Sequence, residues 1–217
     1  MRYRLAHRRA ATQSGLTQVL GAVTTHRKNQ IGQIHTTGMS ADQFVEFSSP
    51  IAWYHSSQRL HRAANVVAAQ VAKDWQHLAE CAHSQKSPDS PENPYLDLFS
   101  QFFLLAAFAL ENVLKGIVVG VEPELTQQGK LQGILTSHDL LAISGRAKVP
   151  LSPEESRFCE LASSASVSWG RYPVSIKAQQ QVSSASLSGS SIELFNELYS
   201  RLSTGFFEHI KAAKSCA

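Results

Sequence analysis

The chain has 217 residues, 43% of them hydrophobic and 17% charged, with 12 Gly, 8 Pro and 3 Cys. Wholesale disorder, a collagen-like repeat and a disulfide scaffold are thereby excluded, and one folded domain with a tail is the natural expectation. The formal net charge of +3 is uneven: residues 1–40 hold Arg2, Arg4, Arg8, Arg9, Arg27 and Lys28 and no acid, which leaves 14 basic against 17 acidic residues, or −3, in 41–217.

Residues 1–40 therefore form a basic leader, expected to be disordered or loosely helical and not part of the fold. An Arg-rich, acid-free start suits an organellar transit peptide, and equally a basic arm for nucleic acid. A third reading is a true translation start at Met39. The apolar run from Leu16 to Val23 is interrupted by Thr17, Gln18 and Gly21, which argues against a secretory signal. An odd number of dispersed cysteines, Cys81, Cys159 and Cys216, fits a reducing compartment, so a cytoplasmic location is expected.

Chain order from Pro50 reads as helices. Trp53, Leu60, Ala64, Val67, Val71, Trp75, Leu78 and Ala82 recur at steps of three, four or seven, which predicts one long helix over 51–82. Ser84–Pro94 holds three prolines and reads as a loop. Leu96–Val121 is the most apolar stretch. Glu111, Asn112 and Lys115 interrupt it, so a buried central helix is favoured over a membrane span. Residues 122–136 read as loop, followed by a short helix to Ser144 that Ser137 caps, with Asp139 in its first turn. Ser152-Pro-Glu-Glu155 combines an N-cap, a proline at the first helical position and a capping-box glutamate. The helix it opens carries Phe158, Leu161, Ala162, Ala165 and Trp169, and ends at Gly170 and Pro173. The serine-rich 173–191 segment reads as a mobile connection or a poorly ordered helix. Ser190-x-x-Glu193 predicts a second capping box, opening one last helix through Ile192, Phe195, Tyr199, Leu202, Phe206 and Ile210. No strand alternation interrupts this pattern. The expected fold class is all-α, an up-and-down four-helix bundle with a short extra helix.

Several polar groups need an account. Glu111 and Lys115 are four apart in the favourable order, with Asn112 three before the lysine. On a buried helix these charges require partners. His138-Asp139 can cap and pack. His77 and Cys81, four apart with Glu80 and His83 nearby, are soft ligands on one face, but no closed zinc pattern accompanies them, so no metal and no cofactor are expected. Gly-x-Ser-x-Gly, Walker and Gly-x-Gly-x-x-Gly patterns are all absent, which removes the familiar hydrolase and dinucleotide readings. Arg171 and Tyr172 can hold a helix end, or neutralise and stack on a nucleotide.

Leu110-Glu-Asn-Val-Leu-Lys115, His138-Asp-Leu-Leu141 and Trp169-Gly-Arg-Tyr-Pro173 together resemble prokaryotic members of the HEPN superfamily, over roughly residues 51–212. The resemblance implies a helical bundle that is often a homodimer. RNA or a nucleotide is the usual partner, often with an antitoxin or nucleotidyltransferase protein alongside. Active relatives are metal-independent endoribonucleases whose signature is arginine, four to six residues, then histidine. Here the nearest pair is Arg201 and His209, with seven residues between. On a continuous helix they stand roughly 80° apart and about 12 Å along the axis. The leading expectation is thus a non-catalytic binding module, with Glu111, Lys115, His138, Asp139, Arg171 and Tyr172 meeting in space. The alternatives are a divergent endoribonuclease using Arg201 and His209, and a purely structural bundle that supports a partner protein.

Overall fold

A computed structural model describes residues 38–84, 98–172 and 189–215. The expectations for the leader, the loop after Ser84 and the 173–191 connection fall largely on residues 1–37, 85–97 and 173–188, outside the described residues. The fold set out here belongs to the unit that begins at Ser40. Among the described residues every regular element is helical: seven α-helices, two short 3-10 turns and no strand.

The first helix, α1 (Ala41–Phe47), is one that apolar periodicity does not reveal, because none of its residues is buried. Its start is nevertheless written locally. Ser40 accepts from the Gln43 backbone N–H, while the Gln43 side chain accepts from the Ser40 N–H, a capping box that satisfies two orphan donors. The long helix, α2 (Pro50–Ser84), follows the expected stripe, with Ala64, Ala68 and Val71 buried.

α3 (Phe99–Val121) buries 15 of its 23 residues and touches α2 and the four later α-helices. It is also the one described helix long and apolar enough to cross a membrane, and most of it is buried inside protein. Two glycines let its neighbours approach. A Cβ on Gly120 would lie 2.6 Å from Ile210 Cδ1, and one on Gly116 3.0 Å from the Phe206 ring and 3.1 Å from Trp53 Cβ. Backbone-close packing of this kind is the reason for glycine in an otherwise strong helix.

After the 3-10 turns Pro123–Thr126 and Gly133–Thr136 comes α4 (Leu140–Arg146). Its cap corrects the expectation of Ser137. Asp139 itself is the N-cap, its Oδ1 accepting from Leu141 N and Ala142 N, while Ser137 Oγ accepts from Asp139 N one step earlier. A carboxylate two residues nearer the first turn outcompetes the hydroxyl for those donors. α5 (Pro153–Val167) starts as its sequence dictates, with Ser152 and Glu155 forming the capping box and Pro153 first in the helix. It stops two residues before Trp169, which is still only 7% exposed.

The last predicted helix divides in two. α6 (Ser190–Thr204) and α7 (Phe206–Ser215) meet at Gly205, whose N–H still reaches the Arg201 carbonyl while its ψ of 7° leaves the helical range. Glycine carries no side chain that would favour continuing the helix, so tertiary packing decides there. The expected Ser190 capping box does not form at this start: α6 begins at Ser190, and Gly189 holds the cap position with no side-chain cap hydrogen bond.

Candidate functional site

The polar residues of α3 converge with the entry to α4. One helical turn separates Glu111 from Lys115, and Lys115 Nζ donates to Glu111 Oε1 at 2.6 Å. Both residues are buried, at 6% and 3% exposure. The other carboxylate oxygen, Oε2, faces His138 Nδ1 at 2.9 Å. A carboxylate only accepts, so Nδ1 carries the hydrogen and Nε2 remains the uncommitted ring nitrogen. The Asp139 cap fixes where His138 leaves the backbone. Its side chain is 45% exposed, so the cluster runs from a sealed ammonium through a shared carboxylate to a solvent-reached imidazole.

Two rings frame this arrangement. Trp53 of α2 lies with its centroid 5.9 Å from Lys115 Nζ, within cation–π range. The Phe108 and His138 centroids are 6.3 Å apart. Only one of the three ammonium donors finds a hydrogen-bond acceptor among the described residues, and the buried Trp53 Nε1 finds none. Glu111, Lys115 and His138 can therefore hold a proton or accept a polar group at the His138 edge, with the lysine charge already matched.

The other expected members go elsewhere. Asn112 Nδ2 donates to the Phe108 carbonyl of its own helix at 2.7 Å. Asp139 is spent on the α4 cap. Arg171 and Tyr172 are exposed after α5 and lie on each other, 5.6 Å from guanidinium carbon to ring centroid. Among the described residues they make no hydrogen bond or ion pair to Glu111, Lys115 or His138. Of the six groups expected to meet, three do so.

Arg201 and His209 sit on different helices, so the geometry expected for one straight rod does not apply. Arg201 embraces Glu155 with Nε and a terminal nitrogen at 2.8–3.1 Å and also reaches the Pro150 carbonyl. It thereby ties α6 to the capped start of α5. Burial, and then the charge of Arg201, push the His209 pKa down. Cys159 is fully buried, and burial, followed by the Glu155 charge, pushes its thiol up to about 12.

A second polar network lies between α2 and α6, without any sequence signal. His61 stacks on Tyr199 at 3.9 Å with the planes 6° apart. Asn196 Nδ2 donates to the Ile192 carbonyl, and His61 Nε2 lies between Asn196 Oδ1 at 2.8 Å and Asn65 Nδ2 at 3.1 Å. The Ser57 hydroxyl donates to the Tyr54 carbonyl and accepts from the Tyr199 hydroxyl. Burial raises the Tyr199 pKa and keeps that donor protonated. His77 and Cys81 do share a face, 3.5 Å apart. Among the described residues no three His, Cys, Asp or Glu side chains gather as a metal site.

No family model, curated protein or solved structure matches this chain.

Proposed function

We propose that residues 41–217 form an HEPN-like, up-and-down four-helix bundle that acts as a non-catalytic binding module in the cytoplasm. Its partners in this reading are a second copy of the chain and RNA or a nucleotide. An antitoxin or nucleotidyltransferase protein, in a defence or toxin–antitoxin setting, is the further partner that the resemblance suggests. The observation that carries the reading is the Glu111–Lys115–His138 cluster. Ionic groups buried in an apolar helix cost free energy that alanine or leucine would not, and this set ends on a half-exposed imidazole. Polarity kept at such a cost, and open at one edge, suits recognition.

The test is binding of a labelled mixed-sequence RNA to the full chain at two salt concentrations. Affinity should fall steeply as salt rises, and His138→Ala should weaken binding. Absence of binding at the lower salt would refute the RNA reading.

The endoribonuclease alternative keeps one supporting observation, the electrostatic reach between Arg201 and His209. Against it stands the bidentate hold of Glu155 on Arg201, which occupies the group needed to steady phosphate charge. In the same incubation, RNA cleavage abolished by His209→Ala would favour catalysis. Intact RNA, or cleavage unchanged in that variant, would remove it.

A further inference from the structure

The outward face of α2 is unlike the rest of the surface. His55, Arg59, Arg62, Val66 and Lys73 follow one another at steps of four, three, four and seven, so they share one side of the helix. All five are exposed. No Asp or Glu occurs from Phe47 through Lys73. Arg59, Arg62 and Lys73 form no ion pair among the described residues, as is also true of Lys130, Lys148, Arg171 and Lys214, but only these three follow one another along one side of a single helix. The result is a row of three cations with no carboxylate between them, the nearest acids in sequence being Glu46 and Asp74. Fourteen residues separate Arg59 from Lys73, about 21 Å of helix at 1.5 Å per residue.

We propose that this face of α2 docks the sugar–phosphate backbone of RNA; the proposal rests on the RNA-binding reading above and assigns it a surface. A run of about 21 Å is long enough for a few nucleotides of a single strand laid along the helix to meet Arg59, Arg62 and Lys73 in turn. The face holds no large aromatic side chain on which bases would stack, so contact is to phosphates and indifferent to sequence. A lipid surface fits less well. A helix that lies in a bilayer interface sets a band of large apolar groups beside its cations, and this face exposes two, Ile51 and Val66, fifteen residues apart. Lys115 adds no charge to this row, being buried and already paired.

The experiment compares the full chain with Arg59→Gln/Arg62→Gln/Lys73→Gln and with a control of equal charge change, Lys130→Gln/Lys211→Gln/Lys214→Gln. All three proteins keep the cations of residues 1–40, so differences between them belong to the substituted positions. Binding of a labelled 20-nucleotide mixed-sequence RNA is measured from 50 to 200 mM salt. Parallel arms use phosphatidylcholine vesicles with and without phosphatidylserine. The α2 variant should bind RNA about tenfold or more weakly, with its logarithmic salt slope reduced by about 2, while the control stays within about twofold. RNA binding that the two variants weaken equally would overturn the α2 surface and leave the RNA reading standing. No RNA binding by the unmodified chain would overturn both. Loss of phosphatidylserine binding in the α2 variant, with RNA affinity unchanged, would assign the face to a membrane instead.

Discussion

Lys115 is the residue on which the buried polar cluster balances. Its ammonium neutralises a carboxylate where the two side chains are only 4% and 8% exposed, and His138 supplies the second bond to that carboxylate. Removing one member of a buried pair leaves the other charge unmatched, at a cost of about 3–5 kcal/mol. Lys115→Met should therefore lose that much in urea unfolding, and Glu111→Gln a similar amount. The double variant should lose clearly less than the sum, because neither charge is then stranded. Additive losses would mean that the two groups do not depend on each other. Asn112, one position from Glu111, bonds only its own helix backbone, and its replacement by Ala belongs with ordinary partly exposed sites.

At the scale of elements, α3 sets the spacing of everything around it. The approach of α7 is possible only because Gly120 offers no side chain to Ile210. Gly120→Val adds bulk where the neighbour is already within contact distance, and overpacking of this kind costs about 1–3 kcal/mol. Valine has a better helix propensity than glycine, so any loss measures packing rather than backbone preference. Adding Ile210→Ala should return part of the stability, read as a rise in Tm over the single variant. A Gly120→Val protein as stable as the parent would show that α7 does not press on α3. The tie between α5 and α6 has another basis, in which Arg201 grips the same glutamate that closes the α5 capping box. One carboxylate thus serves both a helix start and a helix pair.

At the scale of the whole molecule, the pH dependence of stability follows from groups whose proton affinity changes on folding. Burial, and then Arg201, depress the His209 pKa below the unfolded value of 6.5. The unfolded chain then binds more protons below that value, so stability is fully present above about pH 6.5 and is lost as pH falls through the folded pKa. His209→Gln should flatten the fall in stability as pH drops below about 6.5, followed by urea midpoint. An unchanged slope would place the titration elsewhere. Glu154, held below the usual carboxylate range by its own backbone N–H and then by Ser152, adds its loss only at more acid pH.

The helices were legible where the signal is local, and so was the start of α5, though not the caps of α4 and α6. Periodicity carried α2 and α3, and the Ser152-Pro-Glu-Glu155 stretch carried α5. Glu111 and Lys115 were legible as a pair because helical spacing alone brings them together. α1 went unread because an exposed helix leaves no apolar stripe, although Ser40 and Gln43 mark its start. The break at Gly205 was missed because glycine within a periodic run is often tolerated, and only packing decides. Arg201 and Glu155 are 46 residues apart, and His61 and Asn196 are 135 apart. No spacing rule reaches across such distances. That Arg171 and Tyr172 stay apart from Glu111 likewise depends on how α5 ends against α3, which a single sequence does not encode locally.

The indole of Trp53 gives the molecule a built-in optical gauge. Among the described residues, Trp53 is the one tryptophan set against a cation, while Trp75 and Trp169 pack beside Phe99 and Phe103. Its emission is consequently tied to the field of a single sealed ammonium. Any event that draws the shared carboxylate toward the imidazole edge changes that field, and colour and brightness then register it without an added dye.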